Sequence, residues 1–299
     1  MSISSLALGA KKARRLGDDA VMCGQLRPQP IRVNDTELTY VEQGRGDPVL
    51  VVHGTLGDFR SWFEKLTPLA EHYRVIAYSR RAHYPNVWLA DYTRCIPTVH
   101  AADLATLIET LELGPTHIFG HSYGALISLV LASQRPALVR ALILGEPPLL
   151  SLLDATSEGR AIVAGIADER EPARLAFADG DLEAGVRVFL DSVIGEGTFE
   201  QLPGVERDRA MDNAAALRAE LETPPETLFS TLTCADLQRI DAPALLLSGE
   251  LSPTVFPHVT RELARCLLRV EQAMIPGASH DLWNPPVFTK TILDFLAKH

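Results

Sequence analysis

Thr116-His117-Ile118-Phe119-Gly120-His121-Ser122-Tyr123-Gly124-Ala125-Leu126-Ile127 is the stretch whose reading decides the fold. Its first four residues are short, apolar and β-prone, as a buried strand requires. From Ala125 to Ala132 the chain is apolar but for Ser128, the pattern of a helix enclosed by the core. Between them lies G-x-S-x-G, with glycines two residues either side of Ser122 where side chains would clash in a tight turn. A serine on such a strand–turn–helix junction lifts its hydroxyl above the sheet, beside the free N–H groups of a helix start.

Working outward, the flanks supply strands and helices in alternation. Pro30–Asp35 and Glu37–Glu42 alternate about an Asn34-Asp35 turn and predict an antiparallel hairpin. Pro48–Val52 is a continuous apolar run, as a strand covered on both faces needs. A helix over Ser61–His72, a strand over Arg74–Tyr78 and a periodic helix over Val99–Leu113 precede the serine turn. A strand over Val139–Leu144 follows it. The rhythm breaks at Pro147-Pro148 and resumes at Ala242–Ser248. A helix over His258–Leu268, a strand over Arg269–Ile275 and a helix over Val287–Ala297 complete the chain. This order predicts an α/β fold with a mostly parallel, doubly wound sheet. Residues 1–27 read as a leader, 28–148 and 236–299 as the core, and 149–235 as a helical cap inserted above the strand ends, where such sheets bind ligands.

The 299 residues are 46% hydrophobic and 22% charged, the profile of a globular chain with a substantial core. No run of eighteen apolar residues exists, so no membrane is expected as a partner. The N-terminus has the charge order opposite to a signal peptide, so the expected location is cytoplasmic. The formal net charge is −10, and the segment Ser151–Ala235 carries all of it, with 17 acidic residues against 7 arginines and no lysine. Nucleic acid is not expected as a partner, since phosphates need a basic surface. Four cysteines without short spacings suggest neither a zinc site nor a disulfide framework, and each reads as an apolar filler. Oligomeric state is not readable.

A serine hydroxyl becomes a nucleophile when a base takes its proton. His280, in the Gly277-Ala278-Ser279-His280 loop after the last strand, is the histidine placed to do so. With His53-Gly54 after the third strand and the Ser122 turn, these motifs resemble the α/β-hydrolase fold superfamily over roughly residues 30–299. The likeness is to a serine esterase or lactonase with its acid after the sixth strand. In that family the N–H groups following His-Gly and following the nucleophile form the oxyanion hole, which carries over to Thr55 and Tyr123. His53 and His121 are loop-shaping residues there.

The resemblance implies an acid near residue 252, but the run Gly249-Glu250-Leu251-Ser252 has serine at that point. Some relatives place the acid one strand earlier. Glu146, 24 residues after Ser122, fits that alternative, and Glu250 is its rival. The expected triad is therefore Ser122, His280 and Glu146. In the fourth-strand loop, Ser79–Asn86, both family glycines are replaced, so its aromatic and proline residues become candidates for a pocket wall. His83 reads as a surface or packing residue ahead of a substrate contact, and Asp103 as a dipole-complementing residue near the start of the long helix.

These parts imply cleavage of a carboxylic ester or lactone of a small to medium hydrophobic substrate through an acyl-enzyme, with no cofactor and no metal. Serine in place of aspartate disfavours dehalogenation and epoxide opening. A cofactor-independent oxygenase, a C–C hydrolase or perhydrolase, and a non-catalytic ligand-binding module stay open as alternatives. The scarce aromatics of the insertion, Phe177, Phe189, Phe199 and Phe229, suggest an apolar pocket roof.

Overall fold

A computed structural model describes residues 27–87, 95–229 and 232–299. All of the expected leader except Arg27 lies outside them. Eight strands form one sheet in the order β1-β2-β4-β3-β5-β6-β7-β8. They are β1 (Gln29–Val33), β2 (Thr36–Gln43), β3 (Pro48–Val52), β4 (Arg74–Tyr78), β5 (Thr116–His121), β6 (Val139–Gly145), β7 (Ala244–Gly249) and β8 (Val270–Ile275). The β1–β2 hairpin and the β2–β4 pair are antiparallel, and every other pairing is parallel.

The period-two alternation of buried strands divides the core between two faces. Leu50, Ile76, Ile118, Leu142 and Leu246 point to one face. There they meet helices α2 (Pro97–Thr110), α3 (Tyr123–Gln134) and α11 (Val255–Cys266). Val49, Val51, Val75, Phe119, Ile143 and Leu245 point to the other, against α1 (Phe63–Ala70) and α12 (Pro285–Leu296). Helix α3 is buried continuously from Tyr123 to Ala132, which accounts for its lack of a polar stripe.

Between β6 and β7 run α4 (Ser157–Ala178), α5 (Leu182–Val193), α6 (Thr198–Gln201), α7 (Gly204–Asp212), α8 (Ala214–Glu222), α9 (Pro225–Leu228) and α10 (Cys234–Leu237). This helical insertion has an apolar centre of its own, in which Phe177, Val186, Phe189, Phe199 and Leu217 pack together. Among the described residues no helix is long and apolar enough to cross a membrane.

Two expectations are corrected here. Cys234 and Cys266 form a disulfide between α10 and α11, with Cα atoms 5.0 Å apart. The two helices pack side by side, so a separation of 32 residues in sequence becomes contact in space. Asp103 does not complement a helix start. Helix α2 begins at Pro97, which puts Asp103 in its second turn, buried and facing Arg81. It accepts from Arg81 Nε at 2.6 Å and Nη2 at 2.8 Å, and from Asn34 Nδ2 at 2.8 Å.

Candidate active site

Ser122 sits at φ 52° and ψ −123°, a strained backbone for a residue with a side chain. The turn is held by its N–H, which donates to Gly145 O at 2.7 Å, tying β5 to the end of β6. Its tightness explains both glycines. A Cβ on Gly124 would meet Val52 O at 2.2 Å, and one on Gly120 would lie 2.6 Å from Gly124 O.

Three side chains converge on this turn. The Ser122 hydroxyl donates to His280 Nε2 at 2.9 Å, and His280 Nδ1–H donates to Glu146 Oε2 at 2.6 Å. Glu146 is fully buried, and its other oxygen accepts from Gly249 N at 2.8 Å. Both oxygens of the carboxylate are thus held, which fixes the orientation of the imidazole. Phe256 stacks on the His280 ring at 3.9 Å with 12° between the planes. His121 donates from Nε2 to His280 O at 2.7 Å, so it positions the loop and does not face the hydroxyl.

The rival acid lies elsewhere. Glu250 is exposed and accepts from Gly277 N at 2.8 Å, while Glu146 occupies the place beside His280. The hydroxyl of Ser252 is buried without a hydrogen-bond partner among the described residues.

Tyr123 opens α3, so its N–H belongs to the first helical turn, which has no acceptor within the helix. The Thr55 loop is pinned from below. His53 Nδ1–H donates to Gly54 O at 2.8 Å, and His53 Nε2 accepts from Arg80 N at 2.9 Å. Thr55, Ser122 and Tyr123 line one pocket, roofed by residues of the insertion.

The fourth-strand loop departs from the expected pocket wall. Arg80 is fully buried, and its guanidinium reaches Gly54 O at 3.1 Å and Glu220 Oε1 at 3.2 Å. It also donates to His83 at 3.0 Å and to His100 at 3.2 Å. None of residues 79–86 lines the pocket; Tyr84 instead lies under the Arg60 guanidinium, 3.7 Å away. The loop is held away from the pocket by hydrogen bonds, with His83 drawn to Arg80 and Arg81 drawn to Asp103. His83 is a packing residue, as its sequence context implied.

His53, His83 and His100 are each held well below the ordinary imidazole pKa, first by burial and then by the Arg80 charge. They are neutral in the folded protein, whereas unfolded histidines take up protons below about pH 6.5. The unfolded chain therefore binds more protons in that range, and stability falls as pH falls. The expected loss from these three groups between pH 7 and pH 5.5 is about 4 kcal/mol. Chemical denaturation at the two pH values measures it, and a flat profile would contradict the neutral cluster.

Sequence reasoning missed two charged groups at the pocket, Arg170 on α4 and Glu220 on α8, as well as the stacking Phe256. Burial raises the Glu220 pKa above the usual carboxylate value, against the lowering effect of Arg80, Thr55 and Arg170. The roof is otherwise apolar, with Phe189, Val193, Leu217, Leu228 and Phe229. No signal in the sequence separates the two charged residues from the many others of the insertion.

A family model described as the alpha/beta hydrolase fold matches residues 47–282. The chain belongs to the alpha/beta hydrolase fold family. A relative within it, the (E)-2-((N-methylformamido)methylene)succinate hydrolase of Acinetobacter baylyi, is 33% identical over 107 residues, 36% of this chain and 40% of that protein. The first two curated relatives are matched over only 40% and 45% of their length. A non-heme haloperoxidase of Rhodococcus erythropolis is 26% identical over 277 residues, 87% of this chain and 96% of the relative. Among solved structures, the carboxylesterase CesB (YbfK) of Bacillus subtilis superposes with a TM-score of 0.73 at 16% identity, covering 94% of this chain and 96% of that one. That last likeness is one of fold.

Proposed function

We propose that this chain is a serine hydrolase that cleaves a carboxylic ester or lactone through an acyl-enzyme. The observation that carries the reading is the unbroken hydrogen-bond chain from Ser122, which lines the pocket, through His280 to Glu146. In the first step Ser122 Oγ attacks the scissile carbonyl and His280 Nε2 takes its proton. Glu146 keeps the remaining proton on Nδ1 and offsets the positive charge that develops on the ring. The N–H groups of Thr55 and Tyr123 receive the oxyanion, each contributing about 3 kcal/mol to the transition state. His280 then protonates the leaving alcohol, and a water activated by the same nitrogen releases the acid.

The apolar lining, with Phe189, Val193, Leu217 and Phe229, suits a hydrophobic acyl or alcohol group. Turnover of a panel of short-chain esters and lactones by the purified protein tests the reading. Hydrolysis well above the buffer rate is the expected result. A protein that binds panel members without turning any of them over would be a ligand-binding module instead.

A further inference from the structure

We propose that Arg170 forms an anion-binding subsite in this pocket, and that the substrate is an ester carrying a free carboxylate. This deepens the ester-hydrolase reading and rests on it for the substrate's other end. Arg170 lies on α4 in the insertion and lines the same pocket as Ser122. Its guanidinium stands over the Phe189 ring at 5.6 Å and the Phe229 ring at 5.5 Å. Two aromatic faces hold the planar group, but they satisfy none of its five N–H donors. Among the described residues no hydrogen bond or ion pair is made by this side chain. Burial lowers its pKa to about 10, so it stays protonated at neutral pH.

The other charges of the pocket do not supply the missing partner. Glu220, the acidic residue in its lining, is engaged by Arg80 at 3.2 Å and 3.3 Å. Glu169 and Glu220 act on Arg170 only through space. Because Arg80, outside the lining, already bonds Glu220, the guanidinium of Arg170 is left without a bonded counter-ion among the described residues. Arg170 is half-buried with its guanidinium unbonded among the described residues, and a carboxylate presents the two parallel acceptors its fork is shaped for. With the nucleophile and the cation facing one cavity, a single ligand joins them when its ester carbonyl reaches Ser122 and its carboxylate reaches Arg170. Half-esters of short dicarboxylic acids have this form.

The test compares monoethyl and diethyl esters of succinate, glutarate and adipate, which differ in charge at nearly constant shape. The wild-type protein should turn over the best monoethyl ester with a kcat/KM about tenfold or more above its diethyl partner. Arg170→Met should bring that ratio down by about 10- to 100-fold, the loss typical of a charge-assisted bidentate contact. Arg170→Lys, which keeps the charge and loses the fork, should fall between. A wild-type ratio near one, or an equal loss on both esters in Arg170→Met, would overturn the subsite.

Calorimetric binding to Ser122→Ala separates this question from catalysis. The monoethyl ester should bind about tenfold or more tighter than the diethyl ester, and the added Arg170→Met change should abolish that difference. If wild-type protein turns over neither ester but the binding preference holds, the hydrolase reading fails and the anion site stands. Equal binding of the two esters would remove the site whatever the activity.

Discussion

Ser122→Ala is expected to lower ester turnover by about five to six orders of magnitude, the loss seen when the nucleophile of a serine triad is removed. That corresponds to about 7–8 kcal/mol of transition-state stabilisation. The size follows from geometry. Ser122 Oγ is the atom within 2.9 Å of His280 Nε2, and without it the imidazole has no hydroxyl to deprotonate. Alanine fits the strained backbone at φ 52° no worse than serine, so the variant should keep the wild-type fold. Near-ultraviolet circular dichroism checks the fold, and a sensitive ester assay checks the rate. Residual turnover above the uncatalysed rate would come from the Thr55 and Tyr123 N–H groups and from binding alone.

Glu146→Gln should cost about four orders of magnitude in kcat, roughly 5 kcal/mol, with the site geometry preserved. The Gly249 N–H at 2.8 Å demands an acceptor, which turns the glutamine carbonyl toward it. The amide NH₂ then faces His280 Nδ1 at the position where a carboxylate oxygen stood at 2.6 Å. Nδ1 must become the acceptor, so the ring proton moves to Nε2 and points at Ser122. An imidazole in that tautomer cannot take the serine proton. Glu250→Gln is the internal control, because its carboxylate is exposed and, among the described residues, meets only Gly277 N. Its kcat should stay within about twofold of wild type. The reverse pattern, with Glu250→Gln inactive and Glu146→Gln active, would move the acid to the seventh strand.

The strands were legible because buried parallel strands are spelled by unbroken apolar runs. Pro48–Val52 and Arg74–Tyr78 begin and end where their residues suggest, and β6 differs by one residue at Gly145. Glu146 could be named because some members of the family that the motifs resemble carry the acid one strand earlier, about 24 residues after the nucleophile, and Glu146 lies at that distance from Ser122. What could not be read depends on packing between elements far apart in sequence. The Cys234–Cys266 bridge arises from two helices lying together. The Arg81–Asp103 pair needs the fourth-strand loop to fold inward against α2. Arg170 and Glu220 are two charged residues among many on amphipathic helices. Their sequence spacing says which face they share, not whether that face covers a nucleophile.

The central claim is that Ser122 is activated by its neighbours, and covalent labelling tests it most directly. A fluorophosphonate reacts with a serine whose proton is being withdrawn and ignores ordinary hydroxyls. Treated protein should gain one phosphonyl group, mapped by peptide mass spectrometry to Ser122, and Ser122→Ala should gain none. An unlabelled wild-type protein, or an adduct on another residue, would contradict the account and leave Ser122 as a binding group only.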